Sequence, residues 1–190
     1  MRIFSFLFLF ISCSNSVAKN YYVSSQYGKV TYKGISAKYP KPTIQDAAEL
    51  TQPGDTVFVM NGIYINDCLT CNAVTIPHSG TKNKFIVYTN YPGHKPKIKF
   101  NGWAGFSISN GVSYIVINGF KVEGNNTKVS LPRALKQPKS CLNRKGNYSP
   151  EYNGNGIAIF STGQKHNHHI RVSKNTVYNC GGGGISASRA

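Results

Sequence analysis

Carboxylates are scarce in this chain. Six Asp and Glu stand against 22 Lys and Arg in 190 residues, a formal net charge of +16. So little acid excludes an acidic surface, and the positive field selects polyanions: nucleic acid, anionic lipid or an acidic polysaccharide. Runs of Ala, Leu, Glu and Lys at helical spacing are also missing, which excludes a coiled coil or helical bundle. No apolar run is long enough for a multi-pass membrane protein. What is present is β-forming: 40% hydrophobic residues, 12% aromatic and 19 Gly. That composition supports a folded core and lies far from the signature of disorder. The length allows one domain plus a leader.

Residues 1–18 read as a signal peptide. Arg2 supplies a minimal positive end, Ile3 to Ile11 a short apolar stretch, and Ser16-Val17-Ala18 the small residues before a cut between Ala18 and Lys19. The competing reading is a lipoprotein signal, since Phe10-Ile11-Ser12-Cys13 resembles a lipobox and would place a lipid anchor on Cys13. The expected location is therefore secreted, extracellular or periplasmic, with a surface lipoprotein as the alternative. Only Arg2 among the charged residues lies in the leader, so the basicity belongs to residues 19–190.

Four cysteines follow the leader: Cys68, Cys71, Cys141 and Cys180. In an exported chain they allow three pairings into two disulfides, and spacing does not choose among them. Cys68-Leu69-Thr70-Cys71 has the CxxC spacing, but no βαβ context or second CxxC surrounds it. It reads as a loop staple or as free thiols.

Thr43 to Leu50 forms the one clear helix. Thr43 can cap it with Asp46 three residues on, and Ile44, Ala47 and Ala48 share one face. Short strands surround it, from Tyr21-Tyr22-Val23 and Thr56 to Met60 onward through Gly184 to Ala187. Strands this short need stacked neighbours. A repeat supplies them: Tyr114 to Val122 matches His169 to Val177 at a shift of 55, and Ile157-Ala158-Ile159 recurs as Ile185-Ser186-Ala187 at a shift of 28. These spacings predict coils of roughly 22–28 residues, with a Lys-, Pro- and Asn-rich insert at about 125–153. Each coil cannot bury its apolar side chains alone.

At this point the residues resemble a known group. Thr43-Ile44-Gln45-Asp46-Ala47, Pro53-Gly54-Asp55-Thr56-Val57, Asn61-Gly62-Ile63-Tyr64, Ile115 to Phe120 and Asn175 to Gly181 are similar to the cap and first coils of parallel β-helix polysaccharide lyases. The likeness is to the pectate lyase type of family 9 and the neighbouring chondroitinase B and alginate lyase type. It implies an all-β, right-handed parallel β-helix with a short N-terminal capping α-helix. The sequence stops at Ser188-Arg189-Ala190 inside a coil, so the expectation is a β-helix truncated at its C-terminus, the first coils of a longer domain. The resemblance further implies cleavage of a uronate-containing polysaccharide by β-elimination. A cation or basic cluster neutralises the carboxylate, a basic side chain takes the C5 proton, and a donor or water protonates the leaving oxygen.

The carboxylates Asp46, Glu49, Asp55, Asp67, Glu123 and Glu151 are scattered over cap, turns and insert. No metal site or cofactor is expected in this chain, and calcium only in a fuller protein, where the catalytic residues would lie beyond residue 190. Within the chain, catalytic residues are unknown, and Arg171, Lys174 and Arg189 are the candidate contacts to a uronate carboxylate. Each also reads as a solvated charge. The insert, with Lys128, Arg133, Lys136, Lys139, Arg144 and Lys145, could wall a groove or be a mobile loop. Trp103 could stack on a sugar or pack behind the Asn101-Gly102 turn. His166-Asn167-His168-His169 reads as a polar turn, since alternate strand residues face opposite ways. The partner expected is an acidic polysaccharide, not nucleic acid, and no transmembrane segment is expected. A glycan-binding or adhesion β-helix without catalysis is the alternative.

Overall fold

The computed structural model describes residues 17–135, 149–161 and 163–188. A first strand, β1 (Asn20–Val23), leads through a long loop to a helix, α1 (Ile44–Ala48). Coils of three strands follow. The first holds β2 (Thr56–Val59), β3 (Ile63–Asn66) and β4 (Asn72–Thr75), and the second β5 (Ile86–Asn90), β6 (Lys97–Phe100) and β7 (Ala104–Ser109). The third holds β8 (Ile115–Asn118), β9 (Lys121–Glu123) and, after helices α2 (Leu131–Leu135) and α3 (Pro150–Asn153), β10 (Asn155–Phe160). The fourth holds β11 (Ile170–Ser173), β12 (Thr176–Tyr178) and β13 (Ile185–Ser188).

Stacking puts these strands into three sheets, in the orders β1-β2-β5-β8-β11, β3-β6-β9-β12 and β4-β7-β10-β13. Every ladder between them is parallel. The fold is a parallel β-helix.

The repeat expected from the sequence is the stacking register itself. Ile115 pairs with Ile170 and Val122 with Val177, and Ile157 pairs with Ile185, so both sequence shifts are the offsets of stacked strands. The earlier coils are longer than expected, as the pairing of Thr56 with Val87 and of Ile63 with Lys97 shows. The extra length sits in corner loops such as that between β4 and β5, where no alternation marks it.

Alternate strand residues point into the cylinder. Val57, Val59, Ile86, Tyr88, Ile98, Phe106, Ile115, Ile117 and Val122 are fully buried. At the centre Phe106 lies 6.4 Å from the Tyr88 ring and 5.0 Å from the Phe120 ring, centroid to centroid. Turning between the first and second sheets requires a left-handed residue. Gly119 takes it with φ 82°, and one coil on Lys174 occupies the same position with φ 54°.

The cap forms as its residues predict. Asp46 N–H donates to Thr43 Oγ1 at 3.1 Å, and Ile44, Ala47 and Ala48 are buried. The helix is shorter than expected because its end tightens: Leu50 N–H bonds Ala47 O and Thr51 N–H bonds Ala48 O, three residues back. From α1 the Gln45 amide accepts from Thr75 N–H at 2.8 Å and donates to Thr75 O at 3.2 Å. A side chain thus takes the place of a strand beyond β4 and covers part of that edge.

Candidate functional site

The corner between the second and third sheets is tightly constrained. A Cβ at Gly102 would lie 1.9 Å from Cys71 O and 2.7 Å from Cys68 O. Cys68 and Cys71 are joined by a disulfide that closes this loop, so the staple reading of the CxxC holds. Cys180 carries a free, half-buried thiol, and burial pushes its pKa up. Cys141 lies outside the described residues.

Trp103 follows Gly102 and is clamped by the coils on either side. Its N–H donates to Cys71 O at 3.0 Å, and its carbonyl accepts from Asn155 N–H at 2.8 Å. The indole nevertheless remains 38% exposed. It borders a groove of about 440 Å³ along the outer face of the third sheet, lined also by Asn72, Ala104, Asn155, Ala158, Phe160, Ser186 and Ser188. Ala158 stacks on Ser186, and Phe160 on Ser188. The floor is therefore low, and rings border it at Trp103 and Phe160. Asn155 is oriented by backbone: its Oδ1 accepts from Gly183 N–H at 2.8 Å and its Nδ2 donates to Asn153 O at 3.2 Å.

Aromatic walls with oriented amides and neighbouring hydroxyls suit a ligand that is polar at its rim and apolar on its faces, as a sugar ring is. No Lys, Arg, Asp or Glu is among the groove's described lining residues. Among its described lining residues none carries a group that could take a proton from carbon.

Arg171 and Lys174 lie elsewhere. Arg171 is on the outer face of the first sheet, its guanidinium 4.8 Å from the Phe85 ring centroid. It joins a surface of packed rings, where Phe85 meets Tyr114 edge-on and Tyr114 stacks on His169 at 4.6 Å. His168 and His169 bring their Nδ1 atoms to 2.8 Å. Lys174 occupies the corner between β11 and β12. Neither side chain lines the groove. Arg189, Cys13 and the insert residues Lys136, Lys139, Arg144 and Lys145 fall outside the described residues. Lys128 ends a short 3-10 turn after β9, and Arg133 belongs to α2. Sequence reasoning does not single out Phe160 or Asn155, though the offset between Phe106 and Ile157 sets their strand against Trp103's neighbour Ala104.

Calcium needs about six to eight converging oxygens. Asp46 is committed to the helix cap, Glu49 to Gln45, Asp67 to Asn101 and Glu123 to two lysines. Asp55 is buried and accepts from Lys19 N–H at 2.7 Å and Gln52 N–H at 2.8 Å. Among the described residues no three His, Cys, Asp or Glu side chains converge, so the donors described do not fit a calcium ion.

Set beside known proteins, residues 21–182 match a family model described as Pel9A-like, right handed beta helix region. The chain belongs to the Pel9A-like right-handed β-helix family. The match supplies the handedness and takes in both Trp103 and most of the groove. Among solved structures, the Pel9A-like chain is similar to one titled rhamnogalacturonan lyase, at 18% identity and a TM-score of 0.57. That match covers 83% of this chain and 36% of the other. It is also similar to the GH136 lacto-N-biosidase from Eubacterium ramulus, at 20% identity and a TM-score of 0.61, covering 83% of this chain and 26% of that one. Likeness at this level establishes the shared fold, and the chain spans about a third or less of each neighbour. No curated protein matches it. Among the described residues no helix is long and apolar enough to cross a membrane.

Proposed function

We propose that this protein is exported and binds an acidic, uronate-containing polysaccharide in the groove beside Trp103, as part of a lyase-type protein that cleaves its substrate by β-elimination. The observation that carries the reading is Trp103 itself. Its backbone is fixed by the coils on both sides while its ring stays open on a groove with oriented polar groups, on a chain of strong positive charge. Membership of the Pel9A-like family and the likeness to a structure titled rhamnogalacturonan lyase support the polysaccharide class.

Trp103→Ala should weaken retention on polygalacturonate by about five- to tenfold, the value of one aromatic stack. An unchanged affinity removes the groove from the account. New ultraviolet absorbance from unsaturated sugars, appearing when the protein meets polygalacturonate, would establish the elimination. The second reading is binding without cleavage, favoured by the lack of a charged side chain among the groove's described lining residues. Retention without new absorbance, with and without calcium, selects it.

Export has a structural argument in its favour. A cut after Ala18 turns the Lys19 nitrogen into an ammonium placed 2.7 Å from the buried Asp55 carboxylate. Such a charge-assisted contact is stronger than the peptide hydrogen bond it replaces. The exported protein should begin at Lys19 by mass spectrometry, and a lipidated N-terminus at Cys13 would refute this placement.

A further inference from the structure

The outer face of the second sheet carries a set of side chains that the groove does not use. Register places Lys97 beside Lys121 and Lys99 beside Glu123, and continues to Thr176 and Tyr178 on β12. Between them Ile98 and Val122 point inward and are fully buried, so the polar members all stand on the outside. Glu123 Oε2 receives Lys97 Nζ at 3.2 Å and Lys99 Nζ at 3.4 Å, and the Tyr178 hydroxyl donates to the same oxygen at 3.3 Å. Lys97 Nζ also lies 5.9 Å from the centre of the Tyr178 ring.

One carboxylate thus meets two ammoniums, and Lys121 on its own strand adds a third to the same face, leaving a local surplus of positive charge. Its placement is not that of a simple surface pair. Glu123 holds two lysines of the neighbouring strand side by side and engages part of their charge in the free protein. Tyr178 and Glu123 hold the Lys97 ammonium above its ordinary pKa, so it stays charged through the neutral range. Burial works against the Glu123 charge, but Lys97 and Lys99 outweigh it and keep the carboxyl below its usual range. Adjacent strands lie about 4.8 Å apart, so Lys97 and Lys121 repeat along the helix axis at that spacing. Two cations one strand apart, Lys97 and Lys121, with the Tyr178 ring beside Lys97, fit a chain of sugar acids laid along the axis.

We infer that this face is a second, non-catalytic site for an anionic polysaccharide, separate from the Trp103 groove and independent of what the groove binds. The anion is a carboxylate or a sulfate ester on a sugar chain. Polygalacturonate, dextran sulfate and neutral dextran distinguish the two sources.

The test uses the exported chain in affinity electrophoresis through each polymer. Exchanging Lys97, Lys99 and Lys121 for Gln together should weaken binding to one or both anionic polymers by about tenfold in low salt, and leave neutral dextran unaffected. Exchanging the same lysines for Arg should keep it. Lys29, Lys33 and Lys38, exposed near the N-terminus, provide the control when changed to Gln. An equal loss in that control, or no loss in the first variant, overturns the inference in favour of diffuse attraction by net charge. Glu123→Gln supplies a readout of opposite sign: it frees two ammoniums and should raise affinity about threefold. If the triple Gln variant does not fold, Lys97→Gln and Lys121→Gln made singly decide against single exchanges at Lys29 and Lys33, and losses no larger than those controls overturn the site.

Discussion

Gly102→Ala should destabilise the protein by more than about 3 kcal/mol and shift the emission of its one tryptophan. A new Cβ would meet two carbonyl oxygens, Cys71 O at 1.9 Å and Cys68 O at 2.7 Å. Both belong to backbone, and the loop that carries them is closed by the Cys68–Cys71 disulfide. Neither can swing aside as a flexible side chain would, so relief requires moving the corner itself. Overpacking normally costs about 1–3 kcal/mol, and a backbone collision of this size lies at or above the top of that range. The same movement breaks the bond from Trp103 N–H to Cys71 O and releases the indole. Because Trp103 is the one Trp in the chain, its fluorescence reports this corner alone. A variant with the parent denaturation midpoint and an unshifted spectrum would show that the corner is looser than its geometry states. Binding to polygalacturonate should fall together with the spectral change, which links a structural glycine to the groove.

Phe106→Ala should cost about 3–5 kcal/mol, the range for removing a fully buried aromatic ring. Phe106 is completely buried and packs between Tyr88 and Phe120, in the middle of the cylinder. In a solenoid each coil is held by its neighbours, so a cavity in the middle weakens the coupling of the coils on both sides. For a chain of this length the loss corresponds to a fall of roughly 10 °C in melting temperature. Chemical denaturation followed by circular dichroism measures it. A loss below about 1 kcal/mol would mean that the stack closes over the gap. Ile157 above and Val74 below in the same row would have to accomplish that.

Much of this architecture is legible in the residues alone. The match of Ile115 with Ile170 and of Ile157 with Ile185 needs only that similar inward positions recur, and stacking then makes the recurrence a ladder. The Thr43 cap and the Ile44, Ala47, Ala48 face are local features, fixed within one turn of helix. The length of the early coils is not legible, because corner loops lack periodicity and add residues without adding a signal.

The functional surfaces are harder to read. In the sequence Glu123 is one more scattered carboxylate, yet it stands on β9 within reach of two lysines from the preceding coil. Arg171 and Lys174 are reasonable candidates by charge, and the fold turns one onto a ring surface and the other into a corner. Alternation along a strand says whether a side chain points in or out. It does not say which of three sheets the strand joins, and therefore which other residues share its face.

By itself, then, the sequence determined a stack of short-stranded coils, its cap and its basic charge, because each follows from composition, local pattern or repetition at a fixed spacing. Only the tertiary structure decided which cysteines staple the corner, that Trp103 and Phe160 border one groove, and that Lys97, Lys99 and Tyr178 gather around Glu123. Those meetings depend on how far each corner loop carries the chain before the next coil begins, and that distance is set by packing between coils.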